Sequence, residues 1–257
     1  MEDLDTPRLV PGAADAILRT LENHGLEWDE TPLWQSSRLP AYAAALDRLR
    51  ADGRLYDCDC SRKEFDGAYP GTCRDRRDVP SPHAVRFRLT DSPLAFRDRW
   101  QGPRHYDPAR LGDPVVLRRD GLHAYQLAVV ADDAFQGITD VVRGADLLDS
   151  TPWQLALFEA LGHPAPDYAH SPVIIEPDGR KLAKSRRSIA LDANAAGANL
   201  HEALHLLGQS PPLELSSDEP ASILAWAKMN WKPQALENRA QIAAREMFGS
   251  EASLVIR

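Results

Sequence analysis

Residues 125–162, YQLAVVADDAFQGITDVVRGADLLDSTPWQLALFEALG, carry the pattern that decides the fold class. Behind Tyr125, Leu127, Val130 and Ala131 recur at helical spacing, and Gly137 offers a left-handed stop. Ile138 to Arg143 is a β-branched run that reads as a strand. Thr151, Pro152 and Gln154 then form a capping-box arrangement ahead of Leu155, Phe158 and Leu161, with Gly162 closing the helix. Helix, strand and helix in succession predict an α/β fold in which helices cover a mostly parallel sheet.

Upstream of this stretch, Ile17, Leu18 and Leu21 follow Pro11 and Gly12 at helical spacing and stop near Gly25. A second helix runs from about Pro40, with Tyr42, Leu46 and Leu49 on one face, to Gly53. From Tyr56 to about Arg119 the chain is rich in Pro, Asp and Arg, and short alternations such as Val85, Phe87 and Leu89 predict an inserted, strand-bearing module. Downstream, Val173 to Ile175 reads as a short buried strand, Pro177-Asp178-Gly179 as a turn, and the part beyond Leu191 as mainly helical. A parallel sheet is normally built around a long apolar central strand that comes early, and nothing ahead of the first helix can serve as one.

The 257 residues, 43% of them apolar, are enough for a real core in one large domain or two modest ones. No apolar run approaches the length of a membrane span, and the opening MEDLDTPR is acidic where a signal peptide would be basic and then greasy, so no membrane and a cytoplasmic location are expected. Three cysteines gathered between Cys58 and Cys73 do not make a disulfide framework, which points to a reducing compartment. The formal charge of -8 excludes a protein that coats nucleic acid by bulk electrostatics. Two basic islands stand out on this acidic body: Arg180, Lys181, Lys184, Arg186 and Arg187, and Arg62, Lys63, Arg74, Arg76 and Arg77. They suit a site-directed partner, a folded RNA or a phosphorylated small molecule, although solvated loops would look the same.

Two patterns point to metal. Cys58-Asp59-Cys60 with Cys73 supplies three soft ligands on a segment that Pro70 and Gly71 can turn back, which suits one structural Zn2+. A closed tetrahedral site needs a fourth ligand, for which Asp57, Asp66 or water are available. His201-Glu202-Ala203-Leu204-His205 satisfies H-E-x-x-H, the arrangement of a hydrolytic zinc with Glu202 as general base. Against it, Leu200, Ala203, Leu204 and Leu207 already form an apolar helix face, Pro211 blocks the longer extension, and no pattern supports a third ligand among Glu214, Glu219 or Glu237.

The sharpest motif is Lys181-Leu182-Ala183-Lys184-Ser185 after a strand and a Pro-Asp-Gly turn. Ammonium groups on a loop there could meet the charge that builds on ATP phosphates when a carboxylate attacks. The segment resembles the K-M-S-K-S loop of class I aminoacyl-tRNA synthetases. Other segments follow in family order: Glu2-Asp3-Leu4-Asp5-Thr6-Pro7-Arg8, Gln35-Ser36-Ser37-Arg38, Asp132-Asp133 with Gly137-Ile138-Thr139, Arg143-Gly144-Ala145-Asp146 and Ser150-Thr151-Pro152. With the Cys-x-Cys, Tyr, Cys spacing and the short stretch after Ser185, the sequence looks like the short glutamate-specific paralogues that act on queuosine in tRNA(Asp).

The resemblance implies a Rossmann-like catalytic domain in two parts, residues 1–55 and 120–170, separated by a zinc-binding module at 56–119. A lysine-loop and helical stem-contact region follows at 171–257. It further implies ATP, with Mg2+, as substrate, L-glutamate as amino acid, and queuosine-containing tRNA(Asp) as acceptor for a monomeric enzyme. Carried over position by position, Glu2 holds the glutamate ammonium, Tyr125 and Arg143 contact the rest of the amino acid, Lys184 and Lys181 serve ATP, and Tyr69 joins Cys58, Cys60 and Cys73 on zinc. The family begins with a strand and an H-I-G-H-type loop ahead of the Glu-Asp strand end, and this sequence starts at the end of that strand. The expectation is therefore an amino-terminally truncated chain lacking half the ATP site. A catalytically inactive tRNA-binding fragment and, behind it, the H-E-x-x-H hydrolase stand as alternatives.

Overall fold

The computed structural model describes residues 1–176, 191–192 and 194–243. Helix α1 (Ala13–Asn23) starts after Gly12, and Gly25, at φ 66°, turns the chain away from its end. Positive φ is nearly free of cost for glycine, which is why the helix stops there. A short 3-10 turn at Gln35–Arg38 leads into α2 (Leu39–Ala51), which buries Tyr42 and Leu49.

The next segment is antiparallel. Strands β1 (Leu55–Cys58) and β2 (Ala84–Phe87) pair with each other, and a separate hairpin joins β3 (Leu94–Asp98) to β4 (Gly102–Tyr106). After the one-turn helix α3 (Pro108–Leu111), β5 (Val115–Leu117) adds to the far side of β2, giving the order β1-β2-β5.

From Tyr125 the chain alternates. Helix α4 (Tyr125–Gln136) ends at Gly137, φ 66°, and is followed by β6 (Asp140–Gly144), α5 (Thr151–Leu161) and β7 (Asp167–Ser171). Strands β6 and β7 are parallel, with Arg143 opposite His170. They make a βαβ unit, but its second strand is Asp167–Ser171 and not the Val173–Ile175 run that the sequence pattern marks as the next strand. Strand β8 (Val173–Ile175), helices α6 (Ala196–Leu206) and α7 (Pro220–Asn230), and β9 (Gln241–Ala243) complete the described chain, β9 running parallel to β8.

Two expectations change. Among the described residues, parallel pairing is limited to β6-β7 and β8-β9, and β8 is only half-buried. The capping box at Thr151 does not form: Ser150 occupies the cap position, no side chain caps the helix, and Thr151 and Gln154 are turned to Arg143 instead. A half-buried guanidinium is a stronger partner for those oxygens than backbone N–H groups that the preceding turn already satisfies.

One continuous core joins the pieces. Tyr42 and Leu49 of α2, Val85 and Phe87 of β2, Leu127 of α4, and Leu157 and Phe158 of α5 are all essentially inaccessible and pack together. Each contributes on the order of 1.5–3 kcal/mol by leaving water. Helices and antiparallel strands therefore brace one another, and the carboxyl ends of β6 and β7 are held against them. No helix among the described residues is long and apolar enough to cross a membrane.

Candidate active site

Open α/β sheets bind ligands beyond the carboxyl ends of their strands, and Arg143 lies near that end of β6. Its Nε donates to His170 Nε2 at 3.1 Å, and its Nη2 donates to Gln154 Oε1 at 2.7 Å and Thr151 Oγ1 at 3.0 Å. The guanidinium also lies 5.0 Å from the centre of the Tyr168 ring. Residues from β6, α5 and β7 thus fix the cation in one orientation, an arrangement suited to recognising a carboxylate.

Tyr125, at the first turn of α4, is close enough to Glu2 and to Arg143 for all three to interact electrostatically. Its phenol is raised, first by burial and then by the Glu2 charge. Glu2 and Tyr125 line one small cavity of about 330 Å³ together with Gln35, Arg118 and His123. Glu2 also borders a larger cavity of about 620 Å³, with Asp132, Asp133 and Trp28 on its wall. The Glu2 carboxyl is exposed to these cavities, yet surrounding protein raises its pKa, opposed by the amino-terminal ammonium and by Arg143. The structure therefore brings Glu2, Tyr125 and Arg143 to one place. Lys181 and Lys184 lie outside the described residues.

Asp133 belongs to the same cluster. Burial pushes its carboxyl up to about 6; the Arg143 charge opposes this, while Asp132 and Glu2 add to it. The adjacent Asp132 ties elements together instead. Buried at 6% exposure, it accepts from Arg38 Nε at 2.8 Å, Tyr42 Oη at 2.7 Å and Gln35 Nε2 at 3.1 Å. The Gln35-Ser36-Ser37-Arg38 signature is thus the partner of Asp132, and it fixes α2 against α4. Ser36 N in turn donates to Asp3 Oδ1 at 2.8 Å, which secures the segment carrying Glu2.

Sequence reasoning misses Tyr168, His170, Thr151 and Gln154 as members of this site. Thr151 and Gln154 give a signal, the i and i+3 polar spacing, but it reads equally as a cap. Tyr168 and His170 give none, since their relation to Arg143 depends on the register of β7 against β6.

The three cysteines form a separate centre. Their sulfur atoms all lie within 4.8 Å of one another, with Cys60 Sγ 3.5 Å from Cys73 Sγ. Sulfurs sharing a tetrahedral zinc would sit about 3.8 Å apart, from Zn–S bonds of ≈ 2.3 Å. Tyr69 is 5% exposed, its Oη accepts from Cys73 N at 2.8 Å, and burial and the neighbouring Cys58 and Cys73 thiols raise its phenol. Three sulfurs and a phenolic oxygen thus converge. Asp57 is occupied elsewhere, 3.8 Å from Arg50 and 3.5 Å from His83. The donor set fits a closed site for a soft-to-borderline cation.

The H-E-x-x-H segment lies on α6, where His201 Nε2 bonds to the Pro212 carbonyl at 3.1 Å and His205 is exposed on the last turn. Among the described residues, the cysteines are the one group of metal-ligating side chains that converge, so this helix lacks the third ligand a hydrolytic zinc needs.

The sequence matches the family described as tRNA synthetases class I (E and Q), catalytic domain, over residues 1–69 and 69–207. It is 51% identical over 251 residues to a glutamyl-Q tRNA(Asp) synthetase of Ectopseudomonas mendocina, covering 96% of this chain and 85% of that one. A glutamyl-Q tRNA(Asp) synthetase of Pseudomonas aeruginosa is 54% identical over 235 residues, covering 90% and 80%. A solved glutamate tRNA ligase from Elizabethkingia meningosepticum, in complex with its amino acid, superposes with a TM-score of 0.73 at 22% identity. The match covers 96% of this chain and 60% of the ligase, and at that identity it speaks for the fold. By its match to the family over most of its length and its identity to these relatives, the chain belongs to the class I tRNA synthetases (E and Q), among the glutamyl-Q tRNA(Asp) synthetases.

Proposed function

We propose that the chain activates L-glutamate with ATP and transfers the glutamyl group to queuosine in the anticodon of tRNA(Asp). The observation that carries the reading is that Glu2 and Tyr125 line one cavity and both lie within electrostatic reach of Arg143. Glutamate offers one ammonium and two carboxylates, and the cluster offers a carboxylate, a phenol and an oriented guanidinium. Arg143 takes a carboxylate and Glu2 the ammonium, while Asp133 adds negative charge beside the same guest.

In the chemical step, a glutamate carboxylate oxygen attacks the α-phosphorus of ATP, a P–O bond forms, and pyrophosphate leaves with the electrons of the broken bond. Lys184 and Lys181 neutralise charge on the phosphates, helped by the Mg2+ that accompanies ATP. A queuosine nucleophile then displaces AMP from the mixed anhydride. Cys58, Cys60, Cys73 and Tyr69 hold a structural zinc, which would close the loop between β1 and β2. In this reading residues 1–55 and 120–170 form the catalytic body, 56–119 the zinc-bearing insert, and 171–257 the part that meets the tRNA. The enzyme works in the cytoplasm as a monomer.

The test is transfer of labelled glutamate from ATP-containing reactions to tRNA(Asp) with and without queuosine. Label should enter the queuosine-containing tRNA alone, and Lys184→Ala should lower the rate of glutamate-dependent pyrophosphate exchange by about a hundredfold, the ~2.7 kcal/mol typical of one lost transition-state contact. Equal labelling of both tRNAs, or of neither, defeats the reading.

A further inference from the structure

Arg143 is held from behind by a line of buried groups that starts in the antiparallel segment. Because Arg143 Nε donates to His170 Nε2 at 3.1 Å, that ring nitrogen must be unprotonated, and the ring proton must sit on Nδ1. Nδ1 lies 2.6 Å from Asp98 Oδ2, so the proton is donated to that carboxylate. His170 is 0% and Asp98 1% exposed. The second carboxylate oxygen, Oδ1, accepts from the backbone N–H groups of Trp100, Gln101 and His170 at 3.0, 2.8 and 3.2 Å. Asp98 ends β3, so one carboxylate both shapes the β3-β4 hairpin and orients the imidazole under Arg143.

This arrangement solves an electrostatic problem. A carboxylate set directly against Arg143 would fix its plane but would also compete with the substrate for its charge. A neutral imidazole fixes the plane and leaves the charge intact. The anion stands one group further back, where three N–H donors and the imidazole occupy it. With Nε committed to His170 and Nη2 to Gln154 and Thr151, Nη1 is the nitrogen left for a carboxylate.

We propose that Asp98 and His170 are positioning residues for substrate recognition: Asp98 fixes the His170 tautomer, and that tautomer holds Arg143 with Nη1 presented to a carboxylate of the amino acid. This rests on the reading of Arg143 as the carboxylate-binding residue of a glutamate-activating enzyme.

The experiment combines nitrogen-15 NMR of the histidines in the full chain with steady-state pyrophosphate exchange for wild type, Asp98→Asn and His170→Gln. Asp98→Asn keeps an oxygen for the backbone donors and can offer an N–H to Nδ1, which favours the tautomer protonated on Nε2 and sets two donors against each other at Arg143. The expected result is a wild-type His170 carrying its proton on Nδ1. In Asp98→Asn the proton should move to Nε2 and KM for glutamate should rise about tenfold, with KM for ATP and the melting temperature little changed. His170→Gln, whose amide oxygen can accept from Arg143 Nε, should recover most of the glutamate affinity. A wild-type His170 protonated on Nε2 overturns the proposal, and this needs no variant to fold. An active wild type whose Asp98→Asn form keeps its glutamate KM, or loses ATP and glutamate affinity equally, overturns it too. A wild type with no glutamate-dependent exchange defeats the underlying reading, and the proposal falls with it.

Discussion

The cysteine centre and the arginine pocket are two polar sites assembled in opposite ways. Cys58, Cys60, Tyr69 and Cys73 lie within sixteen consecutive residues and meet because one loop turns back on itself. The pocket gathers Glu2, Asp98, Tyr125, Arg143 and His170 from across the described chain, Asp98 and His170 alone being separated by 72 positions. The first site can be closed by a metal ion whatever the rest of the molecule does. The second exists because a core running through α2, β2, α4 and α5 holds distant segments in register. Local sites should depend on their ligand for stability, and dispersed ones should depend on the fold.

The largest effect should come from breaking the local site. Zinc removal by a chelator, or Cys73→Ser, should release one metal ion per chain and lower the melting temperature by about 10 °C. This corresponds to ~4 kcal/mol lost from a structural zinc that stabilises a single loop. Atomic absorption and thermal denaturation measure both quantities. A centre that loses its metal without any change in melting would mean that β1, β2 and the core suffice, and the contrast between the sites would shrink.

The pocket should respond in the opposite sense. Arg143→Ala should reduce kcat/KM for glutamate in pyrophosphate exchange by about 10²–10³-fold, the ~3–4 kcal/mol of a desolvated charge pair, with the melting temperature within about 3 °C of wild type. The small change in stability is expected because His170, Thr151 and Gln154 can rebond among themselves. Loss of stability without loss of glutamate affinity would instead make Arg143 a structural cation.

The same contrast explains what can be read from the residues alone. The spacing of Leu127, Val130 and Ala131 predicts α4, Tyr42 and Leu49 predict the buried face of α2, and Cys58, Cys60 and Cys73 predict their own convergence, because each signal lies within a few turns of chain. Glu2, Tyr125 and Arg143 are reached by resemblance, not by any local pattern. His170 and Asp98 cannot be inferred. Their partnership depends on the β6-β7 register and on a hairpin that brings Asp98 to the end of β7. Thr151 and Gln154 mislead for the same reason, since a capping box and a pair of guanidinium acceptors share one spacing, and only the position of Arg143 decides between them. The pairing of β8 with β9, Val173 opposite Gln241, is a further long-range contact that no nearby residue announces.

The smallest effect probes how much charge the pocket stores. Asp133, raised to about 6 by burial with Asp132 and Glu2 adding to the effect of burial, holds its proton more tightly in the folded chain than in the unfolded one, where an aspartate titrates near 3.9. The folded state therefore binds more protons between these values, and stability must fall as pH rises from about 4 to about 6, levelling off above. Solvent reaching the cavity reduces the penalty, leaving about 1–2 kcal/mol at pH 7 from one ionised, partly buried carboxylate. Asp133→Asn removes the titration. In urea unfolding it should be more stable than wild type by that amount at pH 7.5, and indistinguishable from it near pH 4. If Asp133 helps Glu2 attract the ammonium of the amino acid, the same variant should bind glutamate less tightly at pH 7.5. The pocket would then trade stability for recognition through a single carboxylate, a trade that the cysteine centre, with no substrate charge to attract, has no means to make.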